Sequence, residues 1–202
     1  MTVTLRAFAQ TDAYNQLKIQ YDSLRKAENH EGALLVAKQM NTWALKYETD
    51  TSLRYAVSLR YVGSRFYSLF LNDSALYYWN KSLEALEKQQ RAESLDAASC
   101  QNNLGSFYFG KSDYKTAEPY LKKALEIRKK VLGEDNPEFA ASLNSIGLLY
   151  MDMGDYKAAE INYTQAVEII KKVLGEEHPS YAYSLNNLGN LYSDMGDYKA
   201  AE

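Results

Sequence analysis

Apolar residues along this chain recur at helical spacing, and the pattern repeats. Leu143, Ile146, Leu149 and Tyr150 fall at helical spacing, so the segment reads as an amphipathic helix. The same reading predicts a second helix through Tyr156, Ala159, Tyr163, Ala166, Ile169 and Ile170. Its counterpart one unit earlier carries Tyr114, Ala117, Leu121, Ala124 and Ile127. Each pair predicts an antiparallel helical hairpin.

The hairpins are copies of one unit. Gly63, Gly105, Gly147 and Gly189 stand 42 residues apart, as do Ala33, Ala75, Ala117, Ala159 and Ala201. A glycine inside a helix costs about 1 kcal/mol relative to alanine. Its recurrence predicts a packing reason: without a Cβ, the second helix, lined by small alanines, can approach closely. A repeat of this length moves the functional question from a pocket that does chemistry to a surface that an array displays.

Punctuation between hairpins is equally regular. Val131-Leu132-Gly133-Glu134-Asp135-Asn136-Pro137 matches Val173-Leu174-Gly175-Glu176-Glu177-His178-Pro179. Gly133 and Gly175 suit left-handed helix C-caps, and Pro137 and Pro179 suit the first turn of the following helix, where a missing N–H does no harm.

Leu-Gly-x-x-Tyr followed by Ala-x-x-x-aromatic resembles the tetratricopeptide repeat. The longer unit, with Leu-Gly-Glu-Asp-Asn-Pro between hairpins and Leu185-Asn186-Asn187-Leu188-Gly189 in a first helix, is similar to the kinesin-light-chain-type variant. Units are expected at about 12–50, 54–95, 96–137, 138–179 and 180–202. The unit around Gly63 keeps Val62, Phe66, Ala75 and Trp79 but loses the Gly-Asp-Tyr turn. Leu121 replaces the aromatic in the next. The first is degenerate, with Tyr21 in the glycine place and Ala37 in the aromatic one, and the last is incomplete, ending one turn into its second helix. Residues 1–10 precede the array as a leader. Ala7-Phe8-Ala9-Gln10 has the small-x-small form of an export cleavage site, so the segment reads either as a remnant of an export signal or as an untethered leader. Cytoplasmic and exported locations both stay open.

The resemblance implies an all-α, right-handed superhelical solenoid whose first helices line a concave groove that takes peptides. By position it assigns Arg60, Tyr61 and Tyr67 to that groove in one unit. Asn102, Asn103 and Ser106 follow in the next, then Asn144, Ser145 and Leu148, then Asn186, Asn187 and Asn190. Asn amides both donate and accept. Such a ladder either pairs with a peptide backbone, leaving specificity to Arg60, Lys18 and the tyrosines, or ties the superhelix together.

Composition narrows the chemistry. A net charge of -3 in short alternations, with no basic block, argues against nucleic acid. No apolar run approaches the ~18 residues that a membrane span requires. The single cysteine, Cys100, excludes an internal disulfide and reads as a buried packing residue. Neither His30 nor His178 has a His or Cys at ligand spacing, which does not support a zinc site, and His178 reads as solvated or capping. No nucleophile elbow or phosphate-binding loop motif occurs. No catalytic residue, metal or cofactor is assigned. The expected function is a protein-interaction scaffold for a peptide or protein partner, or else the regulatory or sensory arm of a larger protein with a protease or signalling domain. The apolar face at 180–195, lacking its hairpin mate, offers a route to self-association.

Overall fold

A computed structural model of the chain describes residues 3–48 and 52–196, with side chains from Asp12 onward. Nine helices form among these residues: α1 (Val3–Lys26), α2 (His30–Tyr47), α3 (Leu53–Ser68), α4 (Asn72–Lys88), α5 (Leu95–Gly110), α6 (Tyr114–Leu132), α7 (Pro137–Asp152), α8 (Tyr156–Leu174) and α9 (Pro179–Asp194). The fold is all-α, a series of sequential hairpins. Contacts divide it into two compact units, Met1–Cys100 and Gln101–Glu202.

In the first unit α1 packs on α2, α2 on α3 and α3 on α4. Its core gathers Tyr21, Ala33, Ala37, Met40 and Val62, with Tyr61, Phe66 and Tyr78 against it. In the second, α6 packs on α7, α7 on α8 and α8 on α9. Phe139, Ala140, Leu143, Ala166 and Ile170 form one cluster there, and Ala159, Tyr163 and Leu191 another.

The repeated glycine has a packing reason, but the group it makes room for is a large side chain of the second helix and not one of the small alanines expected opposite it. A Cβ on Gly147 would lie 2.7 Å from Cδ1 of Tyr163, one on Gly105 2.6 Å from Cγ of Leu121, and one on Gly63 2.7 Å from Cδ1 of Trp79. Each large side chain stands sixteen residues downstream of its glycine, on the second helix of the hairpin. In the degenerate first unit the sizes are exchanged: Tyr21 is 2% exposed and Ala37 is fully buried in the same cluster. One large and one small side chain fill the crossing either way, as close packing requires.

The turns within hairpins are kept by the backbone even where the residue type is not. Glu28, Phe70, Ser112, Gly154 and Gly196 all have positive φ, between 55° and 80°. These positions are also 42 apart. At four of the five the next N–H closes the helix end on the carbonyl five residues back: Asn29 on Leu24 at 3.0 Å, Leu71 on Phe66 at 2.9 Å, Asp113 on Tyr108 at 3.0 Å and Asp155 on Tyr150 at 2.9 Å. That is the Schellman closure. The unit around Gly63 therefore retains the turn geometry after losing the Gly-Asp-Tyr letters.

The links between hairpins require one correction. Gly133 and Gly175 have positive φ as expected, but with ψ near 170° (φ 81°, ψ 173° and φ 84°, ψ 168°), so they are not left-handed helical caps. The chain leaves each helix in an extended direction and reaches Asn136 and His178 in β conformation. Only glycine adopts this region readily. Asn136 then caps α7 by accepting the Glu138 N–H at 2.8 Å, and His178 Nδ1 accepts the Ser180 N–H of α9 at 3.1 Å, with Pro137 and Pro179 in the first turns.

Of the segment read as a leader, the backbone from Val3 is continuous with α1. Met1, Thr2 and the side chains through Thr11, those of the Ala7-Phe8-Ala9-Gln10 reading included, lie outside the described residues. So do residues 197–202, on which the incomplete last hairpin was read.

Candidate functional site

The residues assigned to the groove sit on first helices: Arg60, Tyr61 and Tyr67 on α3, Asn102, Asn103 and Ser106 on α5, Asn144, Ser145 and Leu148 on α7, and Asn186, Asn187 and Asn190 on α9. Their surroundings differ. Ser106, Asn186 and Asn190 are exposed; Asn102, Asn103 and Asn187 are half-buried. Asn144 is only 6% exposed. Leu148 packs against the cluster of Ala159, Tyr163 and Leu191.

In the second unit, α7 and α9 enclose a cavity of about 240 Å³. Asn144, Ser145, Ala141 and Pro137 line one side, Ser180, Tyr183 and Ser184 the other, with Ile170 of α8. Asn144 Nδ2 donates to Ser184 Oγ at 2.8 Å, while Asn144 Oδ1 is buried without a partner. Ser145 Oγ turns back onto its own helix, donating to the Ala141 carbonyl at 3.1 Å. Tyr183, 60% exposed, stands at the edge. Ser180, Tyr183 and Ser184 are not among the residues assigned from sequence. The repeat alignment marks the glycine-proximal positions of each first helix, whereas these lie five to nine residues before Gly189, and only the packing of α9 against α7 brings them to Asn144.

In the first unit, Arg60 and Tyr61 meet residues of α1. Tyr21 and Tyr61 stack with centroids 4.6 Å apart and planes at 22°. Lys18 Nζ lies 5.0 Å from the Tyr61 centroid and Arg60 Cζ 4.8 Å from it, cation–π distances. Arg60 also pairs with Asp96 at 3.2 Å. Burial lowers the Lys18 pKa, but its hydrogen bond to Asp22 and the neighbouring Tyr61 outweigh that, and the net shift is upward. Tyr67 does not join this group: it is 41% exposed and tilts against Trp79 at 5.6 Å.

Two tyrosines at one repeat position, Tyr150 and Tyr192, are only partly buried and use their hydroxyls, whereas Tyr163 is fully buried. Tyr150 donates to Glu118 at 3.2 Å and Tyr192 to Glu160 at 2.8 Å, in both cases to an acid thirty-two residues earlier. The Lys122 hydrogen bond, with Tyr150 adding to it, holds the Glu118 carboxyl below its ordinary range. Cys100 is fully buried, and its thiol donates to Ser82 Oγ at 3.2 Å. Among the described residues no cluster of three His, Cys, Asp or Glu could hold a metal ion, and no helix is long and apolar enough to cross a membrane.

No curated protein sequence matches the chain. Among solved structures, BtubC (BKLC) from P. vanneervenii superposes with a TM-score of 0.81 at 22% identity, over 93% of this chain and 74% of that one. The nearly identical TPR-like repeats of a protein named as a putative kinesin light chain from Podospora anserina give a TM-score of 0.74 at 20% identity, over 93% of this chain and 90% of that one. A Rap protein complexed with Competence and Sporulation Factor gives 0.74 at 18% identity, over 93% of this chain and 50% of that one. These similarities concern the fold. The tetratricopeptide repeat family matches the sequence directly, over residues 97–138 and again over residues 138–202. With its repeated crossings of a glycine against a large side chain, its Schellman turns and its sequential hairpins, the chain belongs to the tetratricopeptide repeat family.

Proposed function

We propose that the chain is a non-enzymatic docking module that holds an extended segment of another protein against its first helices. The observation that carries this reading is the Asn144 amide. Ser184 fixes one end of it, and the other end is buried at a cavity with no hydrogen-bond partner. Whichever way the amide is turned, one donor or acceptor is left over, and a buried polar group without a partner costs about 1–3 kcal/mol. A peptide backbone supplies both an N–H and a C=O. Asn186 and Asn190, exposed on α9, carry the same amide chemistry on a helix whose earlier residues line the cavity. The Rap protein of similar fold, complexed with a factor, supports docking as a use of this architecture.

Asn144 is a poor choice for a binding test because it also joins α7 to α9. Exposed Asn186 and Asn190 are better. Peptides selected from a random displayed library against the intact chain should bind the double variant Asn186→Ala/Asn190→Ala at least tenfold more weakly, with unchanged helical circular dichroism. Equal affinity for the variant, or failure of the library to yield any binder, would reject the assignment.

A further inference from the structure

The first unit holds a concentration of charge that docking of a neutral backbone does not use. Between α1 and α3 lies a depression of about 310 Å³ into which Lys18, Arg25, Arg60 and Arg65 are set, around the stacked rings of Tyr21 and Tyr61. Two carboxylates answer these four cations. Asp22 pairs with Lys18 and lies 3.9 Å from Arg25, and Asp96 pairs with Arg60 at 3.2 Å. Arg65 has no carboxylate in the group; it reaches His30 Nδ1 at 3.5 Å and lies over the Tyr21 ring at 5.9 Å. Four cations against two anions leave an excess of two positive charges.

That excess is held under unfavourable conditions. The Arg60 side chain is only 18% exposed, and the Nε atoms of both Arg60 and Arg65 are buried with no hydrogen-bond partner. Removing guanidinium groups from water without full pairing is costly, and an anion brought against them offsets that cost. The rings of Tyr21 and Tyr61 restrain the cations, so little freedom remains to be lost when an anion arrives.

We propose that this depression binds a phosphoryl group. A phosphomonoester carries about -1.5 to -2 charges at neutral pH, which matches the excess, whereas one carboxylate would leave half of it uncompensated. Its three acceptor oxygens suit guanidinium forks, which bind phosphate in bidentate geometry. The proposal rests on the docking reading in one respect: the phosphoryl group arrives on a phosphorylated segment of the docked protein. Free phosphate presents the same chemistry from another source.

The test is a titration of the intact chain at fixed ionic strength with four probes. These are a Gly/Ser heptapeptide with a central phosphoserine, the same peptide unphosphorylated, its glutamate counterpart, and inorganic phosphate. The phosphopeptide should bind at least tenfold more tightly than each of the others and weaken as salt rises. Arg65→Gln should remove at least tenfold of that affinity. Arg25→Gln should weaken it with unchanged melting, since Arg25 is 51% exposed. Equal binding of the glutamate or unphosphorylated peptide, or no saturable binding of any probe, overturns the proposal. Inorganic phosphate binding as tightly as the phosphopeptide overturns the segment as its source. Loss of library peptides in the α9 variants with no phosphoryl preference removes this inference and leaves the docking reading. Phosphoryl preference with no effect of the α9 substitutions does the reverse.

Discussion

Asn144 on α7 and Ser184 on α9 are forty positions apart and joined by a 2.8 Å hydrogen bond, both buried, at 6% and 1% exposure. The bond ties one first helix to the next within the second unit. Ser184→Ala would strip the amide of its remaining partner and should cost about 1–3 kcal/mol. Removing both groups, in Asn144→Ala/Ser184→Ala, should cost less than the two single losses added. Urea unfolding of the four proteins gives the coupling; strict additivity would mean that the bond contributes nothing of its own.

The crossing of Gly147 with Tyr163 makes a second case for coupling. An added methyl at Gly147 meets the ring at 2.7 Å, and Tyr163 is fully buried, so Gly147→Ala should destabilise by about 1–3 kcal/mol through overpacking. Tyr163→Ala alone should cost about 3–5 kcal/mol, as aromatic truncations in cores do. In the double variant the new methyl has room, and the total should fall short of the sum. Thermal and denaturant midpoints check this. A Gly147→Ala variant as stable as the parent would show that the helices shift apart freely.

Phe70 holds a left-handed backbone, φ 60°, while 89% of its surface is exposed. Two turns of the same register use glycine there, Gly154 and Gly196. Left-handed geometry costs a residue with a Cβ about 1–2 kcal/mol, and glycine returns part of that gain through its freer unfolded chain. Phe70→Gly should therefore raise stability by up to about 1 kcal/mol. A lower unfolding midpoint would show that the exposed ring has packing value after all.

Cys100 supplies a pH dependence. Burial pushes its thiol up from the ordinary 9.0 to about 11, with the Ser82 hydrogen bond and Arg60 acting weakly the other way. The unfolded chain releases this proton first, so between about pH 9 and pH 11 the folded state binds more protons and stability falls as pH rises. Tyr14 and Tyr163, also raised by burial, add to the loss above pH 10. Unfolding free energy measured from pH 7 to pH 11 should stay level and then drop, and Cys100→Ala should flatten the first part of the drop. At pH 8 a thiol reagent should label the native protein far more slowly than the urea-unfolded one. Rapid native labelling would contradict the buried, protonated thiol.

The hairpins, their 42-residue spacing and the need for close approach at each helical glycine were legible in the sequence, because these follow from local periodicity and from the absence of a Cβ; that Trp79, Leu121 and Tyr163, and not alanines, fill the space was decided by packing. The helix starts at Pro137 and Pro179 were legible for the same local reason, whereas the extended backbone of Gly133 and Gly175 before them was not. Other features were decided by tertiary packing. Positive φ at Glu28, Phe70 and Ser112 carries no letter that announces it; the turn is imposed by the helices it joins. The Asn ladder reads as one uniform row in the sequence, yet packing of α9 on α7 buries Asn144 against Ser184 while leaving Asn186 and Asn190 in solvent. Arg65, Arg25 and Asp22 look like ordinary surface charges until α1 and α3 bring them around two tyrosine rings. Periodicity is a property of neighbours along the chain, so the sequence alone determined the repeat and the family. Burial and charge balance depend on groups distant along the chain, so only the folded units determined which repeat positions are buried in the structure and which face solvent.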